Sequence, residues 1–326
     1  MTDWEKFTFE TNPNIRVGIS SCLLGEEVRY NGGHAHDSFV TTMLGQYFEW
    51  VDICPEMDIG MGTPRENIRL VNTDGTLRVI APKSGTDYTE KMQTYAVAKT
   101  EELSQVPLHG YILKKNSPTC GMERVRIYDK NSVPRKNGVG VFAAQLMEQF
   151  PLLPMEEEGR LRDNNLRESF IERVFAYYRL KRFLGENPEP GDLVEFHTRH
   201  KLTFLSHNQE AYREMGRMVA NAGESDLDSL LDEYTTKYME ALKIHANAKK
   251  HTNVLHHILG YFKNDLDANE KEEMVSIIDQ YREGILPLIV PVTLLKHHLM
   301  RHPDPWLEKQ VYLHPYPQEL KLRNVV

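Results

Sequence analysis

The chain has 326 residues, of which 40% are hydrophobic and 26% charged, and its net charge is −8 at pH 7. A single core stops growing at about 250–300 residues, so this length suggests two domains. No run of about 18 apolar residues is present, which excludes a membrane-spanning helix, and the acidic balance gives no molecule-wide reason to bind nucleic acid.

The first stretch, MTDWEKFTFETNPN, is polar and acidic and lacks the apolar segment of a secretory signal, so a cytoplasmic protein is expected. Arg16 to Ser21 (RVGISS) reads as a short strand running into Cys22. His36 to Tyr47 has helical length and periodicity, and Phe48 to Ile53 (FEWVDI) reads as a second strand running into Cys54. Leu70–Val71 and Thr76 to Ile80 flank Asn-Thr-Asp-Gly, a hairpin signal. Tyr88 to Ser104 reads as a helix, Gly110 to Leu113 as a strand leading toward Cys120, Val125 to Tyr128 as an edge strand, and Gly140 to Glu148 as a helix. Pro151 to Pro154 followed by Met155 to Gly159 (MEEEG) breaks the pattern and reads as a linker. Beyond it the chain is helical almost throughout, over about 162–184, 192–221, 226–259, 266–283 and 287–302. The expected architecture is an α/β, Rossmann-like parallel-sheet domain over 1–155, followed by an all-α domain over 160–326.

In a parallel α/β sheet, ligands bind beyond the carboxyl ends of the strands. All three cysteines follow expected strand ends, which puts Cys22, Cys54 and Cys120 on one rim. Three unrelated thiols, some buried as small hydrophobes, is the simpler reading of an odd count in a chain with no CxxC pair. Thiolates at one rim would instead suit an iron–sulfur cluster, zinc or copper(I). A 4Fe-4S cluster ordinarily takes four thiolates, so three would leave one iron open as a Lewis acid. Glu56, in the run Cys-Pro-Glu, could serve as a general base, and Ser117, in Ser-Pro-Thr-Cys, could orient a substrate or pass a proton. Taken alone, Glu56 also reads as a helix-start charge and Ser117 as a turn residue.

The runs VGISSCLLGEEVRYNGGHA, CPEMDIGMGTPRE, LKKNSPTCG and GVGVFAAQL, within roughly residues 15–150, resemble the thiouracil desulfurase family. The resemblance implies a 4Fe-4S cluster on Cys22, Cys54 and Cys120, an acid/base role for Glu56, and Ser117 as the serine of the SP-x-C motif. Family members often carry a Gly-Gly pair after CPE, where this chain has Asp58-Ile59-Gly60-Met61-Gly62. The implied reaction is a non-redox removal of sulfur from a thiolated pyrimidine, with water attacking the carbon.

In the helical half, Lys243 to Lys263 contains no Asp or Glu but has four lysines and four histidines. Lys249, Asn253, His256 and His257 are spaced to share a helix face. Arg199, His200 and Lys201 form a further basic group, and between Arg160 and Arg182 basic residues outnumber acidic ones. Such runs are either solvated helix faces or surfaces that neutralise phosphates and stack on bases. The RNA-contact candidates are Arg199, His200, Lys201, Lys249, Lys250, Asn253, His256 and Lys263. Residues 190–324 resemble the helical YbgA-type domain, in FHTRHKLTFLSHNQEAYREMG, NVLHHILGYFK and YREGILPLIVPVTLLKHH. Fusions of the two domains resemble bacterial tRNA 4-thiouridine desulfidases, implying thiolated tRNA as the partner. A desulfidase for free thiouracil and an RNA-binding protein with a sensory iron–sulfur domain are the alternatives.

Overall fold

The computed structural model describes residues 14–224 and 226–325, so the polar N-terminal stretch and the reading made of it lie outside the described residues. The described residues fall into two compact units, 14–163 and 164–325.

The first unit is built on a four-stranded parallel sheet in the order β2-β1-β5-β8. Its strands are β1 (Ile15–Ser20), β2 (Phe48–Ile53), β5 (Leu108–Leu113) and β8 (Met155–Glu157). Every residue of β5 is buried, as expected of an interior strand covered on both faces. Gly18 in β1 is a packing requirement: a Cβ there would lie 2.2 Å from the Tyr111 ring of β5. A second sheet has the order β4-β3-β6-β7, from β3 (Arg69–Thr73), β4 (Thr76–Ile80), β6 (Val125–Tyr128) and β7 (Pro134–Gly138). The expected hairpin is its β3–β4 pair, turned by Asp74 and Gly75 with φ of 49° and 89°, the left-handed pair a type I′ turn requires. Helix α1 (Pro55–Asp58) is a single turn, α2 is Thr89–Ser104, and α3 is Val141–Gln149.

The expected α/β layer is present, with three local differences. Val125 to Tyr128 is an interior strand, because residues 134–138 supply a partner on its far side. His36 to Tyr47 forms short wide and tight turns over Phe39–Met43 and Leu44–Gln46. The segment read as a linker is strand β8, pairing Tyr111, Ile112 and Leu113 with Met155, Glu156 and Glu157. Its glutamates are buried with partners. Glu157 accepts the Met122 N–H at 2.9 Å, Glu156 pairs with Arg160 at 2.7 Å, and Glu158 accepts the Lys115 N–H at 2.8 Å and pairs with the Lys114 ammonium.

The second unit is helical: α4 (Asn164–Gly185), α5 (Pro190–His207), α6 (Gln209–Ala220), α7 (Leu227–Lys243), α8 (Ala248–Tyr261), α9 (Ala268–Arg282), α10 (Ile289–Arg301) and α11 (Pro305–Glu308). Two segments read as continuous are each split by an asparagine. Asn208 caps α6 and Asn247 caps α8, their side chains accepting the first free N–H groups of the new helix. The core of this unit contains polar groups as well as apolar ones. His207 Nε2 meets Glu172 at 3.1 Å while its Nδ1 meets the Ile244 carbonyl at 2.8 Å, so both ring nitrogens face acceptors. His197 and His200 pack among Phe196, Phe204, Tyr234 and Tyr238.

Candidate functional site

Each cysteine is placed by a different local device. Cys22 sits in the tight turn Ser21–Leu24 after β1, closed by Gly25, whose φ of 103° is left-handed. Cys54 caps α1, its carbonyl accepting the N–H groups of Met57 and Asp58, both at 3.0 Å. Pro55 opens that helix, where a missing N–H costs nothing, and Glu56 follows in its first turn. Cys120 lies in the loop after β5, and the N-terminus of α3 grips this loop. The N–H groups of Val141 and Phe142, free of intrahelical partners, donate to the carbonyls of Pro118 at 3.1 Å and Thr119 at 3.0 Å. Gly140 and Gly121 make that grip possible. A Cβ on Gly140 would lie 2.5 Å from the Thr119 carbonyl, and one on Gly121 would lie 2.8 Å from the Ser117 carbonyl oxygen.

Cys22, Cys54, Cys120, Glu56 and Ser117 line one cavity of about 440 Å³. Cys22 and Cys120 are buried and Cys54 is half-buried. Burial pushes the Cys22 thiol up to about 11, against the pull of Lys114, and the Cys120 thiol up to about 12. Among the described residues, no three His, Cys, Asp or Glu side chains are grouped as a single metal ion would require.

Glu56 is held from both sides. Arg65 donates through Nε and Nη2 to Oε2, at 2.9 and 2.5 Å, and Thr119 donates its hydroxyl to Oε1 at 2.9 Å. Arg65 also donates to the carbonyls of Gly62, at 2.8 Å, and Val28, at 2.9 Å. It therefore ties the segment after Cys22 to the one after Cys54. The hydroxyl chain has a fixed direction. Ser117 Oγ accepts the N–H groups of Thr119 at 3.2 Å and Cys120 at 3.1 Å, which occupy both of its lone pairs. Its proton then points to Thr119 Oγ1, 2.9 Å away, and the Thr119 proton points to Glu56.

A family model described as 2-thiouracil desulfurase matches residues 17–158, and one described as a protein of unknown function, DUF1722, matches residues 201–317. The uncharacterized protein YbgA of Escherichia coli (strain K12) is 36% identical over 158 residues, covering 48% of this chain and 94% of that protein. The uncharacterized protein YbbK of Bacillus subtilis (strain 168) is 34% identical over 137 residues, covering 40% of this chain and 88% of that protein. The chain belongs to the 2-thiouracil desulfurase family and carries a YbgA-type domain after it in sequence. A solved structure of a 4Fe-4S-dependent thiouracil desulfidase, TudS, shares 25% sequence identity, covering 46% of this chain and 94% of that one with a TM-score of 0.38.

The resemblance read from the cysteine-bearing segments is thus borne out, and the desulfurase unit brings its five expected site residues into one cavity. Sequence reading missed Arg65 as the clamp on Glu56. The basic residue in Gly-Thr-Pro-Arg-Glu, close to Cys-Pro-Glu, was the available signal.

The expected RNA contacts lie in the YbgA-type unit and do not form one group. His200 is only 2% exposed, its ring among aromatic side chains and its Nδ1 against the Phe196 carbonyl, so it is a core residue and no surface contact. Arg199 pairs with Glu195 at 2.9 Å, and Lys201 is half-buried. Lys250 donates to the carbonyls of His207 at 2.7 Å and His245 at 2.9 Å, and so braces the start of α8. Lys249, Asn253, His256 and Lys263 are exposed, as is His257.

Proposed function

We propose that the protein removes sulfur from a thiolated pyrimidine, with 4-thiouridine in tRNA as substrate and uridine as product, and that Cys22, Cys54 and Cys120 hold a 4Fe-4S cluster. The observation carrying this reading is that three thiols, a clamped carboxylate and a directed hydroxyl chain share one cavity at the carboxyl ends of a parallel sheet. The donor set fits such a cluster. Thiolates are soft ligands, and three of them line one wall without closing around a single ion. When bound, a cluster with three cysteine ligands supplies one open iron, a Lewis acid for the substrate sulfur.

The chain's own residues do the rest. Glu56 takes a proton from water, whose oxygen bonds to the thiocarbonyl carbon as the carbon–sulfur bond breaks. Oxygen replaces sulfur, both protons of the water, including the one Glu56 took, end on the departing sulfur as hydrogen sulfide, and no electron is transferred. Arg65 holds Oε2 of Glu56 in place through two hydrogen bonds, so the carboxyl group keeps its position beside the cavity. The hydroxyls of Ser117 and Thr119, aligned toward Oε1, hold the other oxygen of the carboxyl group in place. In the YbgA-type unit, the exposed Lys249, Asn253, His256, His257 and Lys263 support a role in holding RNA. A buried base atom must be unstacked before it can enter such a cavity. The family description favours free 2-thiouracil as the second reading.

Iron and acid-labile sulfide, measured after anaerobic purification, are the direct test. About four of each per chain are expected, lost in Cys54→Ala. Zinc, or no metal, would overturn the proposal. Comparing thiolated tRNA with free 2-thiouracil then decides the substrate.

A further inference from the structure

The run Asp58-Ile59-Gly60-Met61-Gly62 follows the Cys-Pro-Glu segment at once, and the proposed chemistry does not use it. It continues α1, which is a single turn, and a single turn of helix has no stability of its own. Other parts of the unit must hold it in place. At its start, the fork of Arg65 holds Glu56. At its end stands Asp58, whose N–H donates to the Cys54 carbonyl at 3.0 Å and closes the turn. The Asp58 carboxylate accepts the hydroxyl of Tyr95, from the middle of α2. Ile59, the next residue, is only 5% exposed and packs with Leu70, Val79, Met92 and Val125, a cluster that the Tyr95 ring also covers.

The same ring reaches the other side of the site. Its centroid lies 6.2 Å from that of Phe142, a separation at which aromatic rings are in contact. The Phe142 N–H is one of the two that hold the Cys120 loop. Tyr95 therefore meets the turn bearing Cys54 and Glu56 through its hydroxyl, and the helix that grips Cys120 through its ring. We propose that Tyr95 is a positioning residue which, acting through Asp58, sets where Cys54 and Glu56 stand relative to Cys120. The consequence for turnover rests on the desulfidase reading above, but the tether does not.

The test is hydrogen exchange, followed by mass spectrometry on the full-length protein as isolated anaerobically, which needs no turnover. The N–H groups of Met57, Asp58, Ile59 and Gly60 all donate within this turn, so their exchange reports its opening. Tyr95→Phe keeps the ring and removes only the hydroxyl, and Asp58→Ala removes the acceptor. Each should speed exchange of these four amides about threefold or more, the effect of losing one net hydrogen bond, while β5 and α3 exchange as before. Asp58→Asn keeps an acceptor oxygen and should stay within about twofold of the wild type. Tyr95→Phe combined with Asp58→Ala should exchange no faster than the faster single variant, as expected for two ends of one contact. Unchanged exchange in both single variants overturns the proposal, and so does equal acceleration throughout the unit, which is general loosening. With thiolated uridine as substrate, Tyr95→Phe should keep its iron and lower kcat about threefold to tenfold with KM little changed. An unchanged kcat beside a loosened turn overturns the positioning role. If the wild type does not desulfurate the nucleoside or its tRNA form while the exchange pattern holds, the desulfidase reading fails and the tether stands.

Discussion

At the scale of single residues, Glu56 and Arg65 form a unit. Glu56→Gln keeps the shape but cannot take a proton, so turnover should fall roughly 10²–10⁴-fold, the usual worth of a general base, with iron content unchanged. Near-normal turnover would remove Glu56 from the mechanism. The Arg65 side chain is only 5% exposed, and Arg65→Met would leave Glu56 without its cation and two carbonyls without a donor. A loss of about 3 kcal/mol is expected, as for breaking other largely buried pairs, read from the urea midpoint. Lysine should rescue little, because one ammonium cannot reproduce the fork that reaches Glu56, Gly62 and Val28 together. Cys22, Cys54, Cys120, Glu56 and Ser117 were legible in the sequence because each sits in a short chemically marked run. The role of Arg65 was not, since it depends on how the loop through Gly60 and Gly62, at φ of 79° and 71°, returns toward the site.

Among the elements, the loop carrying Cys120 depends on close backbone packing against the start of α3. Gly140→Ala would push a methyl group into the Thr119 carbonyl and the Cys120 nitrogen. The loop must shift, so the variant should lose about 1–3 kcal/mol and bind less iron even though no cysteine is touched. Full iron loading at wild-type stability would show that the loop tolerates displacement. The strands preceding the cysteines were legible because apolar runs end there in turn residues. Strand β8 was not, because three consecutive glutamates read as solvated until their partners Met122, Lys114 and Arg160 are in place. The breaks at Asn208 and Asn247 were missed for a related reason. Helical periodicity on both sides concealed a cap that only the side-chain contacts reveal.

Across the whole molecule, the net charge of −8 conceals two local concentrations of positive charge, one in each unit. If the exposed face of α8 holds RNA, tRNA affinity should fall steeply with salt, while turnover of free thiouracil should barely respond. A flat salt response for tRNA would count against that face. The histidines of the helical unit that are buried make a separate prediction. Burial lowers His197 to about 4 and His251 to about 3, and holds His200 well below its ordinary value. Above pH 6.5 these rings are neutral whether the chain is folded or not. Below it the unfolded chain takes protons that the folded core refuses, so stability drops as pH falls, by about 1.4 kcal/mol per ring for each pH unit until the folded value is reached. The urea midpoint followed by helical circular dichroism should therefore be lower at pH 5.5 than at pH 7.5, and an unchanged midpoint would mean that these rings are accessible to protons in the folded state. Sequence could count the histidines but could not separate the buried ones from His256 and His257, which are exposed one helical turn from buried neighbours.

Strand β8 also governs where the two halves can be cut apart. A fragment ending at residue 155, where the polar run begins, would discard Glu157, which ties down the backbone just after Cys120, and Glu158, which positions Lys114 and Lys115 on the cavity wall. Extending it to 163 retains both, together with the Arg160 side chain that covers Glu156 and Glu123. An inactive short fragment would therefore reflect a damaged pocket, and only the longer one can reveal whether the helical half is needed for turnover.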